Sequence, residues 1–181
     1  MLISILIITY LIGSIPFGLI LAKFFGIGDI RKKGSGNIGA TNVARLGGLP
    51  LGALTVLLDA GKGFLAIYLT NHLASFEYIQ VAFVGIIFGH VFSVFLKFNG
   101  GKGVATFFGC LLALTAQLFI IAIVSWLAMY ALKRISALSA LTMLLVVNCY
   151  CLVMGIMPAL ILVVSAIIVI RHESNIKQLY K

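Results

Sequence analysis

The chain has 181 residues, 62% of them hydrophobic and only 9% charged, and carries a net charge of +9. A mean hydropathy of +1.22 excludes an ordinary water-soluble domain and places the chain in the membrane class. The excess of 13 Lys and Arg over 4 Asp and Glu is not read as a nucleic-acid surface, because the cations sit at the ends of apolar runs and not on a hydrated face. The length predicts one membrane-embedded domain over residues 1–181.

A crossing needs roughly 20 apolar residues. The first is predicted at about 2–24, a retained helix and not a removed signal peptide, because no cation precedes it and no small-residue cleavage site ends it. A polar loop over 25–50 carries Arg31, Lys32, Lys33 and Arg45. A second crossing at about 51–71 ends at Asn71 and His72, and a short turn with Ser75 and Glu77 leads to a third at about 78–97. The apolar stretches 104–132 and 137–170 are each long for one helix and short for two. Placing Lys97, Lys102, Lys133, Arg134 and Arg171 on the cytoplasmic side makes each stretch a hairpin. The first turns near Thr115, Ala116 and Gln117 and yields two unusually short helices; the second turns near Gly155 and Pro158. The predicted fold is all-α, with seven transmembrane helices, the N-terminus outside and the C-terminus cytoplasmic. Arg31, Lys32, Lys33, Lys133 and Lys181 are read as topology signals or contacts to anionic lipid.

Two glycine-rich basic segments then fall on one face of the membrane. The first, GSGNIGATNVAR, supplies Gly34, Gly36 and Gly39, the hydroxyls of Ser35 and Thr41, the amides of Asn37 and Asn42, and the guanidinium of Arg45. The second, NGGKGVAT, supplies Gly100, Gly101 and Gly103, the cation of Lys102, and Thr106 near a helix start. Glycine lets backbone N–H groups approach an anion closely, and a helix N-terminus adds partial positive charge. Arginine offers a planar fork to phosphate oxygens. In DAGKG, Asp59 and Lys62 share a helix face, so they form either a structural pair or a functional one. Gly13, Gly18, Gly85 and Gly89 are read as helix-packing glycines, and His90 as a satisfied packing histidine. His172 and Asn175 share a face of the tail. Cys110, Cys149 and Cys151 lie within apolar runs and are read as plain buried thiols. No metal and no cofactor is expected. A P-loop is excluded, because Gly61–Lys62 and Gly101–Lys102 are each followed by glycine and Val56 and Leu96 stand where its first glycine belongs. The zinc-hydrolase pair and the nucleophile elbow are absent. The H-x-x-x-x-E spacing of His72 and Glu77 is rejected as a site, since it falls on the opposite side of the membrane.

Taken together, GSGNIGATNVAR, DAGKG, HVFSVFLKFNGGKGVAT and RHESNIK occur in this order over essentially the whole chain. The chain resembles the bacterial acyl-phosphate:glycerol-3-phosphate acyltransferases (PlsY). The resemblance implies an integral enzyme of the bacterial cytoplasmic (inner) membrane with its site on the cytoplasmic face. It implies transfer of a fatty acyl group from acyl phosphate to the 1-hydroxyl of sn-glycerol 3-phosphate, giving lysophosphatidic acid and phosphate, the first acylation of phospholipid synthesis. The partners are the two substrates, membrane lipid and the enzyme that makes acyl phosphate; no nucleic acid is involved. Ser35, Asn37, Thr41 and Arg45 match the first family motif, Gly100, Gly101, Lys102, Gly103 and Thr106 the second, and His172 and Asn175 the third. Two departures are visible. Ala137 stands where the family often has serine, leaving Ser136 or Ser139 as substitutes, and the residues through Lys181 lack the Gly-x-Glu element of many family tails.

Acyl phosphate is already activated, so a strong protein nucleophile is unnecessary. Arg45, Lys102 and the glycine amides are the candidates for holding the two phosphates. Ser35 and Asn175 are those for orienting the hydroxyl or stabilising the oxyanion, and a phosphate oxygen or His172 for accepting the proton. The competing functions are a membrane transporter of an organic phosphate, which should carry a polar path or inverted repeats through the bilayer, and a structural membrane protein.

Overall fold

The computed structural model describes residues 1–179; Tyr180 and Lys181, the latter one of the expected topology cations, lie outside them. The described residues form ten α-helices: α1 (Leu2–Ser14), α2 (Phe17–Phe24), α3 (Ala40–Gly47), α4 (Leu49–Leu73), α5 (Ile79–Val91), α6 (Val104–Leu114), α7 (Ala116–Lys133), α8 (Ser136–Met154), α9 (Pro158–Ile170) and α10 (Glu173–Leu179). Among them no strand occurs. Five stretches are long and apolar enough to cross a membrane: Leu2–Phe24, Leu49–Leu73, Phe76–Leu96, Ala116–Lys133 and Ser136–Met154. Helices α6 and α9 are apolar but shorter, with 11 and 13 residues.

The crossings expected at about 2–24 and 78–97 fall where expected but are interrupted, and one expected helix length needs correction. The first stretch is not one continuous helix. It breaks at Pro16, which lacks an N–H and restricts the residue before it. The carbonyls freed at the break find partners: Ser93 Oγ donates to Ser14 O at 2.6 Å, and Lys62 Nζ donates to Ile15 O at 2.8 Å. The third stretch ends its α-helix at Val91, followed by a 3-10 turn at Val94–Leu96 and positive φ at Lys97 and Phe98. Of the two short helices expected over 104–132, only α6 is short; α7 has 18 residues. Its start is set by Thr115, whose hydroxyl accepts from Leu118 N at 3.1 Å and confines the turn to a single residue. The second hairpin turns where expected, with Gly155 in the left-handed region and Pro158 opening α9.

Glycine brings the helix pairs together. On α1, a Cβ at Gly13 would meet the Ile86 backbone of α5, and on α5 one at Gly89 would meet the Tyr10 backbone. Between α4 and α6, Gly63 faces the Thr106 backbone and Gly109 the Ala60 backbone. Small residues allow such close approach, and dispersion between backbones stabilises helices where the surrounding lipid is as apolar as their side chains. Phe83, Ile86, Phe107, Leu111, Met143 and Ile161 fill the main core. A second cluster of Leu19, Ile30, Ile38, Val43 and Leu96 lies under the first glycine loop. Large apolar residues such as Leu57, Leu73 and Val153 are exposed around the bundle, as a lipid-facing surface requires. Cys110 and Cys151 are buried as expected, whereas Cys149 is on the exposed side of α8 and is not a core thiol.

Candidate active site

The first glycine-rich segment is organised by one side chain. Asn42 is 1% exposed, and its Nδ2 donates to the carbonyls of Ile30, Lys33 and Asn37, at 3.2, 3.2 and 2.8 Å. Its Oδ1 accepts from Ser35 N at 2.9 Å. Gly34 and Gly36 have φ of +58° and +72°, which lets the chain wrap this amide. Asn37 Oδ1 accepts from Gly39 N at 2.8 Å just before α3 begins. Asn42 is therefore a clamp with its hydrogen bonds committed, not the substrate ligand expected. What the loop presents outward is Ser35, Thr41, Arg45 and the N-terminus of α3, which has no side-chain cap. Beside it, Asp29 accepts from Arg31 Nε and Nη2 at 2.9 and 2.6 Å, which holds its carboxyl well below the usual carboxylate range.

The second segment works differently. Gly100 N donates to Val91 O at 2.9 Å and Gly101 N to His90 O at 3.0 Å, so both amides cap the C-terminus of α5. The expected nest of free glycine amides is not formed at these two positions. Arg171 adds a latch: its Nε donates to Gly101 O, and its Nη2 to Gly100 O and to Asn99 Oδ1, at 3.3, 3.0 and 3.1 Å. Lys102 Nζ donates to Asn175 Oδ1, joining the loop to the tail. Gly103, at φ +89°, begins α6 without a side-chain cap. Thr106 faces away: it is fully buried, does not line the cavity, and its hydroxyl has no hydrogen-bond partner among the described residues. Val104, Ala105, Phe108, Gly109 and Leu112 are the residues that α6 turns toward the cavity.

Behind this loop lies a buried ionic group. Lys62 Nζ is 2.8 Å from Asp59 Oδ1, and His90 Nδ1 is 3.6 Å from the same oxygen. A side chain at Gly101 would collide with the imidazole of His90. The three residues thus link the α1/α2 break, through Lys62, to the floor of the second loop. Asp59 and His90 also border the cavity.

The pieces converge on one opening. A cavity of about 730 Å³ has a polar end made by Ser35, Asn37, Thr41, Arg45, Lys102, His172 and Asn175. It continues as an apolar groove between α4, α6 and α7, along Leu57, Phe64, Phe108, Leu112, Phe119 and Trp126. A second, polar pocket of about 500 Å³ shares Ser35, Asn37, Lys102 and Asn175 with it and adds Arg31, Gly34, Gly36 and Arg171. His172 Nδ1 is 2.8 Å from Ile168 O, which makes Nδ1 the donor and leaves Nε2 as the acceptor. Burial pushes the imidazole below its ordinary pKa, so the ring is neutral near pH 7. Burial and then the nearby Arg171 lower the pKa of Lys102. Two uncapped helix N-termini and two cations around one opening make a site for anionic oxygens. Of the substitutes for the missing serine at 137, Ser136 lines the cavity with its Oγ 3.2 Å from Thr41 Oγ1. Ser139 is buried and donates to Ile135 O within its own helix, so it does not reach the site. Arg171, expected only as a topology cation, is the residue that sequence reasoning undervalued; its place next to His172 was the available signal.

The family model described as glycerol-3-phosphate acyltransferase matches residues 3–181. The chain belongs to the glycerol-3-phosphate acyltransferase family. Relatives of that name include one from Dinoroseobacter shibae, 48% identical over 94% of this chain and 85% of the relative. Another, from Mesorhizobium japonicum, is 48% identical over 96% of this chain and 90% of its own. Among solved structures, PlsY, an integral membrane glycerol 3-phosphate acyltransferase, superposes in its glycerol 3-phosphate form with a TM-score of 0.94 at 33% identity, covering 99% of this chain and 92% of that one. Its lysophosphatidic acid form gives 0.92 at the same identity, covering 99% and 91%. The chain is accordingly a membrane protein of this acyltransferase family, built on the same fold.

Proposed function

We propose that this protein transfers a fatty acyl group from acyl phosphate to the 1-hydroxyl of sn-glycerol 3-phosphate, releasing lysophosphatidic acid and inorganic phosphate. The observation that carries the reading is the joining of an apolar groove to a polar pocket through Ser35, Asn37, Lys102 and Asn175. The groove suits a hydrocarbon chain and the pocket a small, doubly anionic alcohol. The polar junction is where the acyl carbon and the attacking hydroxyl meet. The relatives' common name and the two ligand forms of PlsY support the same chemistry.

In this mechanism Arg45, Lys102 and the N-termini of α3 and α6 hold the phosphates. Ser35 and Asn175 orient the 1-hydroxyl or stabilise the tetrahedral oxyanion. The hydroxyl oxygen bonds to the acyl carbon, the bond from that carbon to the phosphate oxygen breaks, and the hydroxyl proton ends on the released phosphate, directly or through Nε2 of His172. Positioning of two bound reactants supplies about 7–11 kcal/mol of such a barrier, and one oxyanion donor about 3–4 kcal/mol. Gly34, Gly36 and Gly39 shape the first loop, while Gly100, Gly101 and Gly103 shape the second. The whole chain acts as one domain, crossing the inner membrane seven times with α6 and α9 as short crossings. The concentration of Lys and Arg on one side supports an outside N-terminus and a cytoplasmic site, beside the enzyme that supplies acyl phosphate.

The test is purified protein in detergent micelles with palmitoyl phosphate and glycerol 3-phosphate, measuring phosphate and lysophosphatidic acid. Equal release of both products, dependent on both substrates, is expected. No release above the no-enzyme rate, together with glycerol 3-phosphate uptake by proteoliposomes, favours the transporter and overturns the proposal.

A further inference from the structure

Gly61 differs from the other glycines of the long helices. At Gly13, Gly63, Gly89 and Gly109 a Cβ would run into the backbone of a neighbouring helix, so close packing accounts for them. At Gly61 a Cβ would meet nothing within 4 Å, and its φ lies outside the left-handed region. It stands inside α4, where glycine is the least favourable residue after proline. Neither packing nor backbone conformation calls for it. It lines the amphipathic cavity, at the level where Ala60 touches Gly109. Gly109 lies about 8 Å along α6 from Val104, at a rise of ~1.5 Å per residue. Gly61 is therefore below the phosphate-binding end and inside the apolar groove. On the other wall, Phe108 and Phe119 meet edge to face with centroids 6.2 Å apart.

Resting on the acyl-transfer reading above, we propose that Gly61 is a specificity-determining residue: its missing side chain is the space through which the donor's hydrocarbon chain passes beyond its first few carbons. A short acyl chain ends above this level; a long one must pass it. A side chain at 61 then narrows the groove for long donors and leaves the polar end untouched.

The test compares Gly61→Leu and Gly61→Ala with the parent, measuring phosphate release from palmitoyl phosphate and from butyryl phosphate at varied glycerol 3-phosphate. The palmitoyl-to-butyryl ratio of kcat/KM is expected to fall about tenfold in Gly61→Leu, as the new side chain displaces roughly two methylenes of buried contact. A smaller fall is expected in Gly61→Ala, and KM for glycerol 3-phosphate should not move in either. Gly63→Ala serves as the packing control and should lower thermal stability while affecting both donors alike. If Gly61→Leu does not fold, Gly61→Ala carries the measurement, since its methyl enters open space. An active parent whose ratio is unchanged in both variants overturns the role of Gly61 alone. A parent inert towards both donors overturns the acyl-transfer reading and this inference with it.

Discussion

The two glycine-rich loops look alike in sequence and are built on opposite principles. In the first, a buried side chain, Asn42, holds the backbone from within, and the free groups are side chains: Ser35, Thr41 and Arg45. In the second, the backbone itself is consumed. Gly100 and Gly101 cap α5 with their amides and receive Arg171 on their carbonyls, and Lys102 is the side chain left facing the cavity. Glycine serves different ends in the two. In the first it permits positive φ around the clamp; in the second it lets the chain lie against His90. A glycine-rich basic segment therefore does not by itself imply amides free to bind phosphate.

This contrast can be broken by experiment. The largest effect is expected for Arg45→Ala, which removes an exposed cation that has no hydrogen-bond partner among the described residues. The fall in kcat/KM should be on the order of a hundredfold or more, for loss of a charge-assisted contact in the transition state. The unfolding temperature should not change; a protein that binds glycerol 3-phosphate as well as the parent would remove Arg45 from the site. Lys102 should show a comparable loss as Met, but with a pH signature. Its pKa is lowered from 10.5 by burial and by Arg171, so its charge disappears at lower pH than that of a solvated lysine. The alkaline decline of kcat/KM for glycerol 3-phosphate should thus begin below the ordinary lysine range, and Lys102→Arg should move it upward. An alkaline limb that ignores this substitution would dissociate Lys102 from phosphate binding.

The clamp is next. Asn42→Ala should destabilise the protein by about 3 kcal/mol, as several buried backbone groups lose their partner at ~1 kcal/mol each. Its activity should fall with both substrates, and calorimetric or fluorescence melting would record the stability part. A variant with parental melting would mean that the loop holds its shape without the amide. The smallest effect is expected for Ser136→Ala. One hydroxyl contact to Thr41, at a partly open position, is worth about 1 kcal/mol or less. A fall of no more than a few-fold in kcat should result. A loss as large as that of Arg45→Ala would make Ser136 the functional replacement for the absent serine at 137.

Much of the site was legible in the sequence. Arg45, Lys102, His172 and Asn175 do come together at one opening, as their placement at the ends of apolar runs suggested. Thr106 and Ser139 did not join them. Each is one helical position out of phase with the residues that face the cavity, and spacing alone does not tell which face of a buried helix is inward when all its faces are apolar. Asn42 was identified in the right segment with the wrong job, because an amide that binds substrate and one that binds its own loop have the same composition. Pro16 was visible in the sequence but lay within an unbroken apolar run, where hydropathy outweighed its known effect on a helix.

Composition and charge placement alone determined that this chain is a helical membrane protein with its basic, glycine-rich segments at the helix ends, because the cost of burying charge and unpaired backbone in lipid leaves few alternatives. Which of those polar groups are committed to the fold and which remain free was decided by tertiary structure. Hydrogen-bond partners such as Lys62 for the Ile15 carbonyl, Arg171 for the second loop and Asn42 for the first lie far apart in sequence or depend on loop geometry. Only the folded packing brings each donor to its acceptor and leaves Arg45 and the open side of Gly61 facing the cavity.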